Sequence, residues 1–230
     1  MDPMTRTRPR IAVEFASHRF ELLGGPALWW PCQRTLIVAD VHLGKGAAFR
    51  SAGVPVPAGT SNKDLQRLTQ FLAETEAERL IILGDFLHSR TGRHPQVMDA
   101  VCQWRRSHEQ IEVTLIVGNH DRSAGACPEE WKLDQIKGSV EIDGLFLSHF
   151  PDTPDCKPLI AGHIHPVCTL RDFDRSAVRV PCFVFDDQVG VLPAFGSFTG
   201  GHYVPARDRR RIFAIAGEIV IPLPCGRKKF

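Results

Sequence analysis

The chain has 230 residues, 43% apolar and 23% charged, a composition that excludes collagen-like, coiled-coil and disordered classes and leaves room for one substantial core or two small ones. Its formal net charge is only +2, so no global positive field demands a polyanionic partner. No stretch approaches the ~18 consecutive apolar residues of a membrane span, no apolar run follows the basic start, and the seven cysteines form no Cys-x-x-Cys pair, which together predict a cytoplasmic protein with neither a membrane segment nor a disulfide framework.

In chain order, residues 1–10 are expected to be a disordered basic arm and residues 11–225 a single domain. A buried strand is predicted at 35–39, and the Gly- and Pro-rich stretch 51–60 is a surface loop. Residues 64–76 place Leu65, Leu68, Phe71 and Leu72 on one helical face behind an Asn62 cap. A second strand follows at 80–83, then a helical pattern through Val97, Val101 and Trp104. Short apolar runs at 113–117, 145–148 and 159–161 read as further buried strands. After Gly162 the texture becomes all-β, with strands at 178–185 and 189–192 and a hairpin over 212–221 turning at Gly217. Residues 226–230 are expected to be a loose tail.

Each of the five early runs ends in a residue type that binds metal ions. Ala39 leads to Asp40 and His42, Gly84 to Asp85, Gly118 to Asn119, Ser148 to His149, and Gly162 to His163 and His165. In open α/β sheets functional groups gather beyond the carboxyl ends of the strands, so these side chains can meet although they are far apart in sequence. Glycine before three of them suggests a sharp exit from the strand. Carboxylates, an amide oxygen and imidazoles without thiolate suit Mn²⁺, Fe²⁺ or Zn²⁺. If Asp85 bridges, two ions receive four ligands each: Asp40, His42, Asp85 and His165 for one, Asp85, Asn119, His149 and His163 for the other. Two such ions clamp a phosphoryl group and activate a water.

At these residues the sequence resembles a known family. Asp40-Val41-His42, Gly84-Asp85, Gly118-Asn119-His120-Asp121, His149 and Gly162-His163-Ile164-His165 are, in order, the five blocks of the calcineurin-like metallophosphoesterases. The resemblance implies a four-layer αββα sandwich, two mixed sheets flanked by helices, with a dinuclear metal site at the carboxyl ends of the strands. It also implies that His120 is the general acid and that Asp121 orients it. The strings Asp40 to Lys45, Phe49-Arg50, Val54 to Pro57, Gly84 to Ser89 and Gly196 to Gly201 look like the small bacterial branch of ligase-associated DNA-damage-response endonucleases. That branch implies manganese, a single-stranded or flexible DNA substrate, and association with a DNA ligase and helicase.

His88, three residues after Asp85, reads either as a loop histidine or, as in the break-repair nucleases of the superfamily, as a histidine facing the scissile phosphate. Lys45, Arg50, Arg90 and Arg93 lie near the ligands in sequence and are candidates for holding the nucleic-acid backbone, or are simply solvated. His202 stands after paired glycines and has the reach to approach the site, whereas Trp29 and Trp30 read as packing rather than as a base-stacking pair. Gly44-Lys45 lacks the rest of a phosphate loop. Three functions compete: a two-metal DNA endonuclease, a small-molecule phosphodiesterase or phosphatase with the same metals, and a non-catalytic scaffold, which should have lost a ligand or His120. None is lost.

Overall fold

A computed structural model describes residues 8–152, 157–171, 176–207 and 209–224. The chain opens with three antiparallel strands, β1 (Ile11–Phe15), β2 (His18–Leu22) and β3 (Leu28–Trp30), which lead into β4 (Thr35–Ala39). Sequence reasoning missed this meander. Its first turn, Ala16-Ser17, has both residues at positive φ (51° and 64°) without the Asn or Gly that normally marks such a hairpin.

From β4 onward the pairing is parallel. Helices α1 (Lys45–Ser51) and α2 (Thr60–Thr75) lead to β5 (Arg79–Leu83), α3 (Pro95–Arg106) to β6 (Glu112–Ile116), and α4 (Asn119–Ala124) to β7 (Asp134–Ile136). The first sheet runs in simple chain order from β1 to β7. The second contains β8 (Ser139–Ile142), β9 (Leu145–Ser148), β10 (Leu159–Ala161), β11 (Pro166–Arg171), β12 (Ala177–Phe185), β13 (Val189–Val191), β14 (His202–Tyr203), β15 (Arg211–Ala216) and β16 (Ile219–Pro222). Within it β9, β10 and β13 are parallel, and antiparallel neighbours surround them.

The continuous apolar strands are explained by burial on both faces. Leu36, Val38, Leu80, Ile82, Val113 and Leu115 pack against Leu65, Leu68, Phe71, Val101 and Trp104 of α2 and α3. The alternate residues Ile37, Ala39, Ile81 and Leu83 pack between the sheets against Leu145, Leu147, Ile160, Phe183 and Phe185. Each fully buried Leu, Ile or Phe contributes about 1.5–3 kcal/mol, so a one-residue slip of β4 or β5 would exchange two filled cores and is strongly disfavoured.

Two mixed sheets are thus present, with the helices gathered on one side. The four α-helices among the described residues fall before residue 125, and the outer face of the second sheet carries a small third core of Cys168, Cys182, Val184, Val204, Ile212 and Ala214 to which no described helical residue contributes. The expected loop at 51–60 begins only after α1, an unforeseen helix. Asn62 lies inside α2, whose N-cap is Gly59, with no side-chain cap. Of the expected N-terminal arm, residues 1–7 lie outside the described residues, but Arg8 pairs with Glu74 at 2.9 Å and Arg10 with Glu21 at 3.0 Å, so both are held. The expected tail 226–230 also lies outside them. No helix among the described residues is long and apolar enough to cross a membrane.

Candidate metal centre

The carboxyl ends of β4, β5 and β6 in one sheet and of β9 and β10 in the other converge. Backbone hydrogen bonds lock the ends together: Asp40 N–H donates to Gly84 O (3.1 Å), His42 N–H to Asp85 O (2.8 Å), and Gly162 N–H to His149 O (3.1 Å). Among the contacts that join the sheets here, His163 N–H donates to Asp40 Oδ2 (2.8 Å), His149 Nδ1 lies 2.9 Å from Leu83 O, and Phe195 N–H donates to Ala39 O (2.7 Å). Asp40, His42, Asp85, His163 and His165 all have φ between 50° and 69°, a left-handed conformation that costs non-glycine residues of order 1–3 kcal/mol each. The packed strand ends impose this conformation at five candidate ligands.

The three glycines that precede candidate ligands have a steric reason rather than the expected conformational one. A Cβ on Gly84 would stand 2.2 Å from His149 Nδ1, one on Gly118 2.2 Å from Asp85 Oδ1, and one on Gly162 2.7 Å from Asp40 Oδ2. Of the three only Gly84 has positive φ (76°). Each glycine makes room for the ligand of a neighbouring strand.

Two groups that include a carboxylate result, Asp40 with His42 and His165, and Asp85 with His149 and His163, the ligand atoms of each lying within 4.8 Å of one another, as do those of a third, all-imidazole group of His42, His88 and His120. Asn119 Oδ1 is 3.0 Å from His149 Nε2 and so joins the second. Asp85 lies between them, with Oδ2 3.9 Å from His42 Nε2 and Oδ1 3.6 Å from His149 Nε2. Ring nitrogens face one another, His42 to His165 at 3.3 Å and His149 to His163 at 3.1 Å. Asp40 Oδ1 is buried with His165 Nε2 3.3 Å away but with no well-aligned hydrogen-bond donor. Native interiors rarely leave a carboxylate oxygen so, and a bound ion is one of the few remedies.

The electrostatics of His42, His163 and Asp85 suit cation binding; at His165 burial is outweighed by the Asp40 carboxylate, which raises that pKa. Burial, reinforced by Lys45 and the neighbouring imidazoles, pulls the His42 pKa down to about 2, and burial first and then His149 lower that of His163, so both rings are neutral with a lone pair to give at neutral pH. Burial raises the pKa of Asp85, partly offset by His149; a divalent cation would stabilise its charge. The His/Asp clusters fit a dinuclear metal site.

Beside them stand His88 and His120, rings stacked with centroids 4.9 Å apart at 19°. His120 Nδ1 lies 2.7 Å from the His88 carbonyl oxygen, and its backbone N–H donates to Asp85 Oδ1 at 2.8 Å. The carboxylate of Asp121 does not hold the His120 ring as expected. It accepts instead from the backbone N–H groups of Leu87 (2.9 Å) and Gly118 (3.0 Å), and so fixes the turn from which His120 projects. His88 Nδ1 is 3.3 Å from His42 Nδ1, and burial, then Lys45, lower its pKa to about 4. This histidine belongs to the site.

The four expected backbone-binding residues separate. Burial lowers the pKa of Lys45 while the Asp40 and Asp85 carboxylates oppose the shift, and its ammonium lies 5.9 Å from the centre of the Phe49 ring. Arg50 directs Nη1 to the carbonyls of Val56 (3.3 Å) and Pro57 (3.1 Å), and Arg93 directs Nη1 to those of Ala124, Gly125 and Ala126; both tie down loops. Arg90 is exposed. His202 is exposed, its backbone N–H bonded to His165 O at 2.9 Å, and Trp29 and Trp30 are buried in the two cores. Two features were missed. Phe150 meets the rings of His149 and His163, each at 4.7 Å. Buried Asp64 of α2 accepts the Ser197 hydroxyl at 2.5 Å, while Arg67 donates to Phe195 O, so α2 anchors the loop beside Asp40. A buried acid inside an amphipathic helix was the available signal for Asp64; for Phe150 there was none.

Residues 33–170 match the family model of the calcineurin-like phosphoesterases. Among solved structures, the chain is similar to the Pseudomonas putida nuclease MPE, with 40% identity and a TM-score of 0.83 over 94% of this chain and 100% of that one. It is more distantly similar to Yfce, a phosphoesterase from E. coli (14% identity, TM-score 0.40, 81% of this chain and 96% of that one). A protein of unknown function from Aquifex aeolicus, AQ665, matches at 19% identity with a TM-score of 0.38, over 57% of this chain and 78% of that one. No curated protein matches the sequence.

Proposed function

The chain belongs to the calcineurin-like phosphoesterase family and is a metal-dependent hydrolase, and from this we propose that it is a nuclease that cleaves phosphodiester bonds in single-stranded or flexible DNA. The observation that carries the reading is Asp85, one oxygen toward each of two His/Asp clusters, in a chain 40% identical to a nuclease over 94% of its length. Asp40, His42, His165 and one Asp85 oxygen would hold one divalent ion; the other Asp85 oxygen, Asn119, His149 and His163 would hold the second. When bound, such ions supply Lewis-acid polarisation of the phosphate and a water of lowered pKa. The oxygen and nitrogen donors suit manganese, with iron or zinc as the alternatives.

The protein's own part is proton transfer and positioning. His120 Nδ1–H donates to the His88 carbonyl, so the acid is the imidazolium form of the ring, whose Nε2–H supplies the proton to the leaving oxygen and leaves the neutral imidazole. His88 stacks on that ring and limits its rotation, and Asp121 holds the turn beneath it. Lys45 adds positive charge beside the carboxylates. The reading extends to a repair role in the cytoplasm with a DNA ligase and helicase.

The test is metal-stripped protein given a labelled DNA strand, the same sequence as duplex, a cyclic nucleotide and an aryl phosphodiester, each titrated with Mn²⁺, Zn²⁺ and Mg²⁺. Strand cleavage strongest with Mn²⁺ is expected. Cyclic nucleotides hydrolysed far more efficiently than any strand would replace this reading with a small-molecule phosphodiesterase, and no hydrolysis with any metal would leave a scaffold.

A further inference from the structure

Next to the centre, where the chain crosses from β7 at the edge of the first sheet to β8 at the edge of the second, lies a cleft of about 500 Å³. Its lining includes Arg122, Lys137, Lys157, Phe146, Phe150 and, as the one acid among the described lining residues, Asp152. The three cations are exposed and make no ion pair or hydrogen bond among the described residues. Two of them lie over aromatic rings, the Lys157 ammonium 4.9 Å from the Phe146 centroid and the Arg122 guanidinium 5.7 Å from that of Phe150. Phe150 is also the partition, since it meets the rings of both His149 and His163. A second cleft of about 440 Å³ around Arg8 and Arg67 offers no such chemistry, because Arg8 is paired with Glu74 and Glu218, and Arg67 with Asp64.

We propose that this cleft is the subsite for the nucleotide flanking the scissile phosphodiester of a single-stranded DNA substrate; the inference rests on the nuclease reading. Among the described residues, three cations without an ion pair stand against one carboxylate, in a chain of net charge +2, and concentrate positive potential where the strand would leave the metal centre. Cationic grooves with aromatic platforms are how proteins hold single strands: the cations take phosphates and the rings take unstacked bases. The volume is within the ~300–1,000 Å³ of small-ligand sites, room for one nucleotide and not for a duplex. Lys137 and Lys157 would hold the backbone, and the base would stack against Phe150 or Phe146.

The test compares a short labelled oligothymidylate with an aryl phosphodiester too small to enter the cleft, both with Mn²⁺, so that each variant is read as a strand-to-aryl ratio of kcat/KM. Lys137→Ala/Lys157→Ala should lower the ratio about tenfold through KM and make the log-log salt dependence shallower by roughly 1.4, two contacts at about 0.7 each. Phe150→Leu should lower the ratio roughly 5- to 150-fold, the range for one lost base stack, and Phe150→Tyr should restore it. Metal content is measured on every variant; if Phe150→Leu loses metal, the lysine variant alone decides. An unchanged ratio and salt slope in that variant, with the strand cleaved by wild type, would overturn the subsite and leave the nuclease standing. Equal losses on duplex and strand would overturn the stacked base. Failure of wild type to cleave any strand while it hydrolyses the aryl ester would overturn both readings.

Discussion

Asp85 is the residue on which the proposed centre rests, because its two oxygens face different histidine groups and its Oδ1 also accepts the His120 N–H. Asp85→Ala should therefore abolish activity and bring bound metal toward zero, read by elemental analysis; two equivalents retained would refute the bridging role. His42→Ala removes one ring from one group and should cost less, ~10–100-fold in metal affinity by analogy with weakened contacts around metal sites. His120→Ala should keep its metal but lose ~10²–10⁴-fold on substrates whose leaving oxygen needs a proton. A nitrophenolate leaves unaided, so an equal loss on a nitrophenyl phosphodiester would remove His120 from the role of acid.

At the scale of elements, the strand ends hold the ligands and the glycines give them room. Gly118 has an ordinary backbone conformation, so Gly118→Ala is not strained by its φ; the new Cβ instead meets Asp85 Oδ1 at 2.2 Å. Overpacking of this kind costs about 1–3 kcal/mol, and here it should displace the carboxylate that both metal groups share. Weakened metal binding with native circular dichroism is the expected outcome, and Gly200→Ala, with nothing within 4 Å, is the control. The α2 anchor makes a pH-dependent contribution. Burial raises the pKa of Asp64, with Ser197 and Arg67 opposing, so the folded protein binds this proton more tightly than the unfolded chain. The group's contribution is complete below the unfolded carboxylate range, near 4, and fades as pH rises through the raised value. Asp64→Asn keeps an acceptor for Ser197 but cannot titrate. Thermal melts should show the variant gaining on wild type as pH rises from about 4; a constant difference would contradict the shift.

For the whole molecule, a net charge of +2 would not draw the proposed DNA substrate from a distance, so on that reading affinity comes from a few local phosphate contacts. Arg50 and Arg93 hold loops, which leaves Lys45, Arg90 and the cations of the cleft. Two to four contacts imply a log-log salt slope of roughly −1.4 to −2.8 on a single strand. Cleavage measured across a salt series should fall in this range, while an aryl phosphodiester should respond little. A flat response for the strand would argue that the substrate is small.

The amino-acid sequence by itself determined which residue types stand at the ends of the buried strands. Parallel strands covered on both faces are continuous apolar runs, so their carboxyl ends can be located, and Asp40, Asp85, Asn119, His149 and His163 each follow one. The first turn of the meander was illegible because Ala16-Ser17 carries neither Asn nor Gly, whereas Gly24-Gly25-Pro26 at its second turn was a signal that went unread. Tertiary structure alone decided how the side chains meet: that Asp85 lies between two groups, that His88 stacks on His120 while Asp121 grips the backbone, that the glycines clear space for ligands of other strands, and that Phe150 walls a basic cleft at the seam of two sheets. Periodicity is a property of neighbours along the chain, whereas these contacts depend on the order of strands in each sheet and on how closely the two sheets approach, which no local pattern encodes.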